Sequence, residues 1–249
     1  MSSALRYVFA VMVGVSTALV PGAVATSGAA VPMQATVANV APAAGDVVGV
    51  AMPITVTFTR PVVDRAAAER AIDISSPKTP AGTFDWLAGD QVRWTPSAYW
   101  PAHSTISVTA LGFKTTFGTG AAVVGVADID AHTFTVSIDD QVVRTMPASM
   151  GKPKHPTPVG SFTALEKQSP VIMDSRTIGI PLSDPDGYKL TVYDAVRVTW
   201  GGVYVHGAPW STGAQGNSNV SHGCINLSPD NAAWYYDNVN IGDPIIVQA

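Results

Sequence analysis

Residues 206–226 read HGAPWSTGAQGNSNVSHGCIN and contain Cys224, the only cysteine of the 249-residue chain. His206 lies 18 positions before this cysteine, His222 lies two before it, and Gly223 directly precedes it. Cysteine attacks as the thiolate, and a nearby imidazole makes thiolate available near neutral pH. A lone thiol preceded by two histidines, in a loop rich in glycine, serine and asparagine, therefore indicates nucleophilic catalysis.

This stretch resembles the active-site motif of the L,D-transpeptidases, the YkuD domain family. In that family a histidine lies upstream of a Ser/Thr-His-Gly-Cys-aliphatic-Asn block, which here is Ser221, His222, Gly223, Cys224, Ile225 and Asn226, with His206 upstream. A second portion, Thr157-Pro158-x-Gly160-x-Phe162, resembles another signature of the family. The resemblance extends over the chain after its first ~35 residues. It is to the small mycobacterial-type enzymes with one immunoglobulin-like domain before the catalytic one.

The first 30 residues have the pattern of a secretory signal. A positive start at Arg6 is followed by a mostly apolar run, residues 7–20, and then by small residues. The run is shorter than the ~20 residues that span a bilayer, although an uncleaved N-terminal anchor remains an alternative. We therefore expect export across the cytoplasmic membrane, to the periplasm or cell wall. A single cysteine cannot form an internal disulfide there, so its presence needs a chemical reason.

Composition and periodicity predict a mainly β chain of two modules. Residues 36–120 resemble the immunoglobulin-like β-sandwich of the family, and residues 122–249 resemble its β-sandwich catalytic domain with a short helix. Residues 113–122, rich in glycine and threonine, are the predicted junction, with the alternative that part of this segment is the last strand of the first module. Apolar alternation predicts strands at residues 54–59, 72–74, 83–86, 92–94, 105–108, 133–138, 141–146, 196–200, 203–206 and 243–247.

Local signals add two helix starts and two turns. Asp64 is suited to cap a helical turn over residues 64–71. Residues 228–231, with Ser228 as the cap and Pro229 in the first turn, suit the start of a short helix that residues 232–237 complete. Asp139-Asp140 and Gly201-Gly202 are predicted hairpin turns. His103, which follows Pro101 without other candidate site residues nearby in sequence, is expected to be a surface residue. The net charge is −4 without a basic run, which argues against a nucleic-acid partner, and we expect a monomer.

Spacing alone does not decide which imidazole acts as the base. The resemblance implies that His206 takes the thiol proton, whereas His222 shapes the site. Gly223 removes a side chain beside the nucleophile, so that the amides of residues 222–224 are candidates for an oxyanion hole. Gly207 stands where close relatives commonly have serine. We expect the backbone carbonyl of residue 207 to orient the His206 imidazole, because no acidic residue lies near either histidine in sequence.

The resemblance also implies the substrate. Peptidoglycan stem peptides would be both donor and acceptor, D-alanine would leave, and a 3→3 cross-link would form. Residues 174–193, rich in Ser, Asp, Gly and Pro, are the expected mobile cover. β-Lactams of the carbapenem class are expected covalent inhibitors. The residues expected to line the groove are Met173, Tyr188, Trp210, Ser221 and Asn226.

Other functions fit the sequence less well. An L,D-carboxypeptidase on the same fold, in which water resolves the thioester, stays open because nothing in the sequence identifies the acceptor. A non-catalytic wall-binding protein would not need Cys224 and both histidines. Zinc is disfavoured because no second thiol and no carboxylate at ligand spacing lie nearby, and we expect no cofactor. A papain-like protease would have cysteine before histidine, the reverse of the order here.

Overall fold

The computed structural model describes residues 35–249 of the chain. The predicted signal segment, residues 1–30, lies outside the described residues. Within residues 35–249, two α-helices, α1 (Arg65–Arg70) and α2 (Pro229–Asn238), and two 3-10 turns, Ser175–Ile178 and Pro209–Ser211, accompany the strands. The strands are β1 (Val37–Ala41), β2 (Val47–Val48), β3 (Ile54–Phe58), β4 (Ile72–Ser75), β5 (Gly82–Ala88), β6 (Gln91–Pro96), β7 (Thr105–Ala110), β8 (Phe113–Thr119), β9 (Val123–Asp128), β10 (Thr133–Ile138), β11 (Gln141–Pro147), β12 (Gly160–Thr163), β13 (Glu166–Gln168), β14 (Val171–Asp174), β15 (Lys189–Val192), β16 (Ala195–Arg197), β17 (Tyr204–Gly207), β18 (Ile225–Leu227) and β19 (Pro244–Gln248).

The N-terminal half is a sandwich of two four-stranded sheets. One sheet has the order β1-β3-β6-β5 and the other β2-β8-β7-β4. Strand β3 shows why the alternation predicted it: Ile54, Val56 and Phe58 are buried, while the threonines between them are only partly buried. The inward residues of both sheets form one apolar core. Helix α1 contacts β4 and contributes Ala68 to this core, and the Asp64 carboxylate accepts the Ala67 N–H at 2.9 Å, as an N-cap does.

The two halves touch through backbone and side-chain hydrogen bonds. The amides of Gly49 and Ala51 donate to the carbonyls of Ile241 and Gly242, at 2.8 and 2.9 Å. A Cβ on Gly49 would lie 2.0 Å from the Asp243 nitrogen, so only glycine fits this close approach. The Asp243 carboxylate accepts the Val50 N–H at 3.2 Å, and burial raises the pKa of that carboxyl to about 6.

The junction between the two halves is short. Most of residues 113–122 is strand β8, the last strand of the first module, whose buried Phe117 packs into the N-terminal core. His103 is exposed, as expected, and its Nε2 lies 2.8 Å from Asp139 of the second half. The partner could not be read from sequence because 36 positions separate the two side chains.

The C-terminal half is built on two further sheets. A five-stranded sheet has the order β11-β10-β9-β19-β12, and a four-stranded sheet has the order β13-β16-β17-β18. An apolar core lies among them, with Phe134 packed edge-on against Tyr235 of α2. The predicted turn at Asp139 and Asp140 has φ of +49° and +65°, the signs that a two-residue type I′ hairpin requires. Strands β14 and β15 form a separate two-stranded hairpin.

The fold brings the predicted catalytic stretch together at parallel strands β17 and β18. In their register Val205 pairs with Ile225 and His206 with Asn226. The chain between these strands is the long loop that carries the rest of the motif. Helix α2 packs on β17 and begins at the Ser228 cap, with Pro229 in its first turn, as its sequence predicts. In the described part of the chain, no helix is long and apolar enough to cross a membrane.

Candidate active site

Eight of the ten predicted site residues line one cavity of about 470 Å³. The cavity lies between the long loop after β17 and the β14–β15 hairpin. The two remaining residues, Gly207 and Gly223, directly follow the two histidines in the chain. The predicted residues that line the cavity are Met173, Tyr188, His206, Trp210, Ser221, His222, Cys224 and Asn226.

His206 is buried and held in one orientation. It is 3% exposed, and its Nδ1 lies 2.9 Å from the Gly207 carbonyl oxygen. A carbonyl only accepts hydrogen bonds, so Nδ1 carries the proton and Nε2 keeps a free lone pair. Burial lowers the pKa of His206 to about 4, which keeps the imidazole neutral near pH 7. The residue therefore has the protonation state of a general base.

The glycine at position 207 leaves room for a side chain. A Cβ there would meet the Tyr193 carbonyl oxygen at 3.5 Å and Ala232 at 3.6 Å, which are ordinary contact distances. The group that orients His206 belongs to the backbone, which serine would keep.

We therefore expect Gly207→Ser to retain the catalytic rate within roughly twofold and to change stability by no more than about 1 kcal/mol, since the position is buried but a Cβ there meets only ordinary contacts. Turnover and thermal denaturation of the two proteins measure this. A loss of an order of magnitude or more would mean that glycine itself is required at this position.

Cys224 is partly exposed, and its side chain packs beside a small apolar cluster of Val192, Ala195 and Tyr204. Its sequence neighbours are polar, but the β14–β15 hairpin supplies an apolar wall from elsewhere in the chain. The thiol donates to the Gly202 carbonyl at 3.7 Å. Burial raises the pKa of the thiol to about 11. The resting site therefore holds a neutral thiol and a neutral imidazole.

The turn at residues 221–224 is shaped by the Ser221 hydroxyl. It accepts the Gly223 N–H at 3.0 Å and donates to the Cys224 carbonyl at 2.7 Å. The Gly223 amide is thus already used, which removes it from the predicted oxyanion donors. Gly223 has φ of +116°, a conformation that favours glycine, and its carbonyl accepts the Thr157 hydroxyl at 2.9 Å.

The other groove residues lie on opposite walls. Trp210 is half-exposed, with its ring centroid 5.9 Å from that of His206. Asn226 is buried and donates to the Ser211 hydroxyl at 3.1 Å. Met173, on β14, belongs to the hairpin wall near Cys224. The cavity thus combines an aromatic rim, an amide and an apolar wall around the thiol.

Sequence reasoning missed a charged cluster beside His222. The Asp186 carboxylate contacts Lys152 and Lys154 and lies 3.8 Å from the Nε2 atoms of both His155 and His222. Potential ligand atoms of His155, Asp186 and His222 lie within 4.8 Å of one another. Two ammonium groups already hold the carboxylate, so the cluster is better suited to an ion-pair network than to a metal cation.

Comparison with known proteins agrees with this geometry. Residues 122–247 match the model of the L,D-transpeptidase catalytic domain, and residues 22–112 match that of a bacterial Ig domain. The chain belongs to the L,D-transpeptidase family. Its immunoglobulin-like and YkuD domains account for the two halves of the fold, and the predicted fold class is confirmed.

Relatives of this family cover nearly the whole chain. L,D-transpeptidase 1 of Mycobacterium tuberculosis is 57% identical over 250 residues, which is 99% of each chain. An L,D-transpeptidase from Mycobacterium smegmatis has a TM-score of 0.82 and 69% identity, over 87% of this chain and 100% of its own. An LD-transpeptidase solved in complex with imipenem, LdtMt1, has a TM-score of 0.80 and 61% identity, over 86% of this chain and 99% of its own.

Proposed function

We propose that this L,D-transpeptidase cross-links peptidoglycan stem peptides through a thioester on Cys224 and makes 3→3 bonds. The observation that carries the proposal is the shared cavity, in which the only thiol of the chain lies with His206, a buried neutral base. Residues 36–120 would space or orient the catalytic module, residues 122–249. Residues 1–30 would direct export to the periplasm or cell wall, by a cleaved signal or a retained anchor.

The acylation step starts from a neutral Cys224 thiol and a neutral His206 imidazole. The thiol, with a pKa raised to about 11, transfers its proton to His206 Nε2 as sulfur attacks the carbonyl carbon of the donor's third residue. The C–S bond forms, the C–N bond to D-alanine breaks, and the imidazolium returns its proton to the leaving amine. The Gly207 carbonyl, which holds Nδ1–H, keeps the imidazole oriented throughout.

The second step resolves the thioester. The acceptor's amine attacks the thioester carbonyl, a C–N bond forms, the C–S bond breaks, and His206 takes the amine proton and returns one to sulfur. In the carboxypeptidase alternative, water attacks instead and leaves a carboxylic acid. Met173, Tyr188, Trp210, Ser221 and Asn226 are the proposed groove residues because each lines the cavity beside the thiol.

Purified protein incubated with a disaccharide tetrapeptide tests the proposal by mass spectrometry. Cross-linked dimers with release of one D-alanine per bond are expected. Tripeptide without dimer would replace the proposal with the carboxypeptidase alternative. Unchanged substrate, with soluble and folded protein, would favour a non-catalytic wall-binding role.

Covalent labelling by carbapenems is expected for the same reason. A strained lactam carbonyl is an acyl donor, and a relative of the same fold has been solved in complex with imipenem. Imipenem should raise the intact mass by one drug molecule per chain, and Cys224→Ala should remove the increase. Labelling that survives in that variant would place the adduct elsewhere, and an active wild-type enzyme that is not labelled would contradict the prediction.

A further inference from the structure

The segment between β14 and β15, residues 175–188, has few attachments to the rest of the protein. Its hydrogen bonds among the described residues stay inside the hairpin, such as Ser175 N–H to the Tyr188 carbonyl and Tyr188 N–H to the Ser175 hydroxyl. Asp186 is the exception, because its carboxylate reaches the body of the catalytic domain. A two-stranded hairpin is at best marginally stable by itself, so a side-chain anchor matters here.

Four basic side chains from two other segments surround this carboxylate. Lys154 Nζ donates to Oδ2 at 2.8 Å, and Lys152 Nζ donates to Oδ1. His155 and His222 each direct Nε2 to within 3.8 Å. The two lysines hold the pKa of Asp186 well below its usual range, so the carboxylate is ionised near neutral pH. The carboxylate is 21% exposed and partly shielded from solvent.

The contacts of Asp186 connect residues 175–188 with the loop that carries Cys224. His222 lies two residues before Cys224, and the Tyr188 ring, two residues after Asp186, packs on His222 with centroids 4.9 Å apart. Both Tyr188 and His222 line the cavity. A displacement of Asp186 would therefore move one wall of the cavity against the other.

We propose that Asp186 is a positioning residue that holds residues 175–188 closed over the acyl-enzyme and thereby favours an amine over water as the acceptor. This inference rests on the proposed thioester function. Hydrolysis needs only that bulk water reach the thioester carbonyl, whereas an acceptor amine arrives on a bound peptide. Closure of residues 175–188 excludes bulk water and therefore slows hydrolysis more than attack by the acceptor amine.

The decisive measurement is the partition of the acyl-enzyme between dimer and hydrolysed tripeptide at a fixed concentration of disaccharide tetrapeptide. Asp186→Asn keeps the size of the side chain and removes its charge. It should raise the ratio of tripeptide to dimer roughly fivefold, the scale of one partly exposed ion-pair network. Asp85→Asn is the matched control, since it removes an exposed pair with Arg93 in the N-terminal half with the same change of charge.

Salt and a second variant separate anchoring from a general structural effect. Higher ionic strength screens the attraction between the Asp186 carboxylate and the two lysines, so the ratio of tripeptide to dimer should rise in wild type. The ratio in Asp186→Asn should not respond to salt, because this variant lacks that attraction. Lys154 is 66% exposed, so Lys154→Gln should fold normally, shift the ratio in the same direction and add little to Asp186→Asn in the double variant. This variant carries the test if Asp186→Asn does not fold.

An unchanged ratio in both variants, or a salt response in Asp186→Asn equal to that of wild type, would overturn the inference. The lifetime of the imipenem adduct, followed by intact mass, gives a check that needs no peptide substrate. It should be several-fold shorter in Asp186→Asn, and an equal lifetime also counts against the inference. Wild type that forms neither dimer nor tripeptide would instead contradict the proposed function.

Discussion

Replacing Cys224 with alanine is expected to reduce turnover to background, a loss of roughly 10⁴-fold or more, as for removal of the nucleophile from a catalytic unit. The chain has no second cysteine that could take its place. The neighbouring Ser221 cannot substitute, because its hydroxyl is occupied by the Gly223 amide and the Cys224 carbonyl. Release of D-alanine from a stem tetrapeptide measures the loss.

Cys224→Ser is expected to keep at most a trace of activity. A serine hydroxyl is much harder to ionise than a thiol, and the neutral imidazole at His206 would have to remove its proton without help. Thermal denaturation of both variants checks that the fold is intact, since the side chain is small and only partly buried. Substantial D-alanine release by folded Cys224→Ala would exclude Cys224 as the nucleophile.

Local signals explain what could be predicted from the sequence. The alternation in residues 54–59 and 133–138 identified strands because each has one buried face, and the Asp64 and Ser228 caps act within three residues of themselves. The catalytic cluster was visible because its residues lie in one short stretch of chain. The arrangement of these residues in space is set by strands β17 and β18, whose parallel pairing the sequence did not reveal.

Long-range contacts explain what could not be predicted. Asp186 lies 34 positions from Lys152 and 32 from Lys154, and only the folded hairpin brings the three together. No acidic residue lies near either histidine in sequence, although the Asp186 carboxylate lies 3.8 Å from His222 in the fold. The oxyanion assignment of the Gly223 amide failed for a different reason, since whether an amide is free depends on side-chain rotamers that spacing does not determine.

The surroundings of the two histidines make them distinguishable. His206 is buried beside a backbone carbonyl. Burial lowers its pKa, and the hydrogen bond to the Gly207 carbonyl opposes this shift. His222 lies among Lys152, His155 and Asp186; burial and the nearby basic groups lower its pKa, while Asp186 opposes the shift. Both imidazoles are neutral, yet only His206 has its other nitrogen fixed by the Gly207 carbonyl. This difference favours His206 as the base.

His206→Ala is accordingly expected to slow acylation by roughly 10³-fold at neutral pH, within the range for loss of a general base. Without the base, the rate should follow the thiolate fraction. Because the pKa of Cys224 is raised to about 11, that fraction and the rate should rise about tenfold per pH unit between pH 7 and 9. Wild type should be nearly flat from pH 6 to 8, since His206, with a pKa of about 4, is already deprotonated there.

Single-turnover labelling by imipenem across this pH range measures acylation without an acceptor. His103→Ala is the matched control, because that side chain is 64% exposed in the N-terminal half, and its profile should follow wild type. If His222→Ala shows the tenfold rise per pH unit and His206→Ala does not, the roles of the two histidines are reversed. The structural reason for the present assignment is the single hydrogen bond from Nδ1 to the Gly207 carbonyl, which leaves Nε2 of His206 as the basic atom.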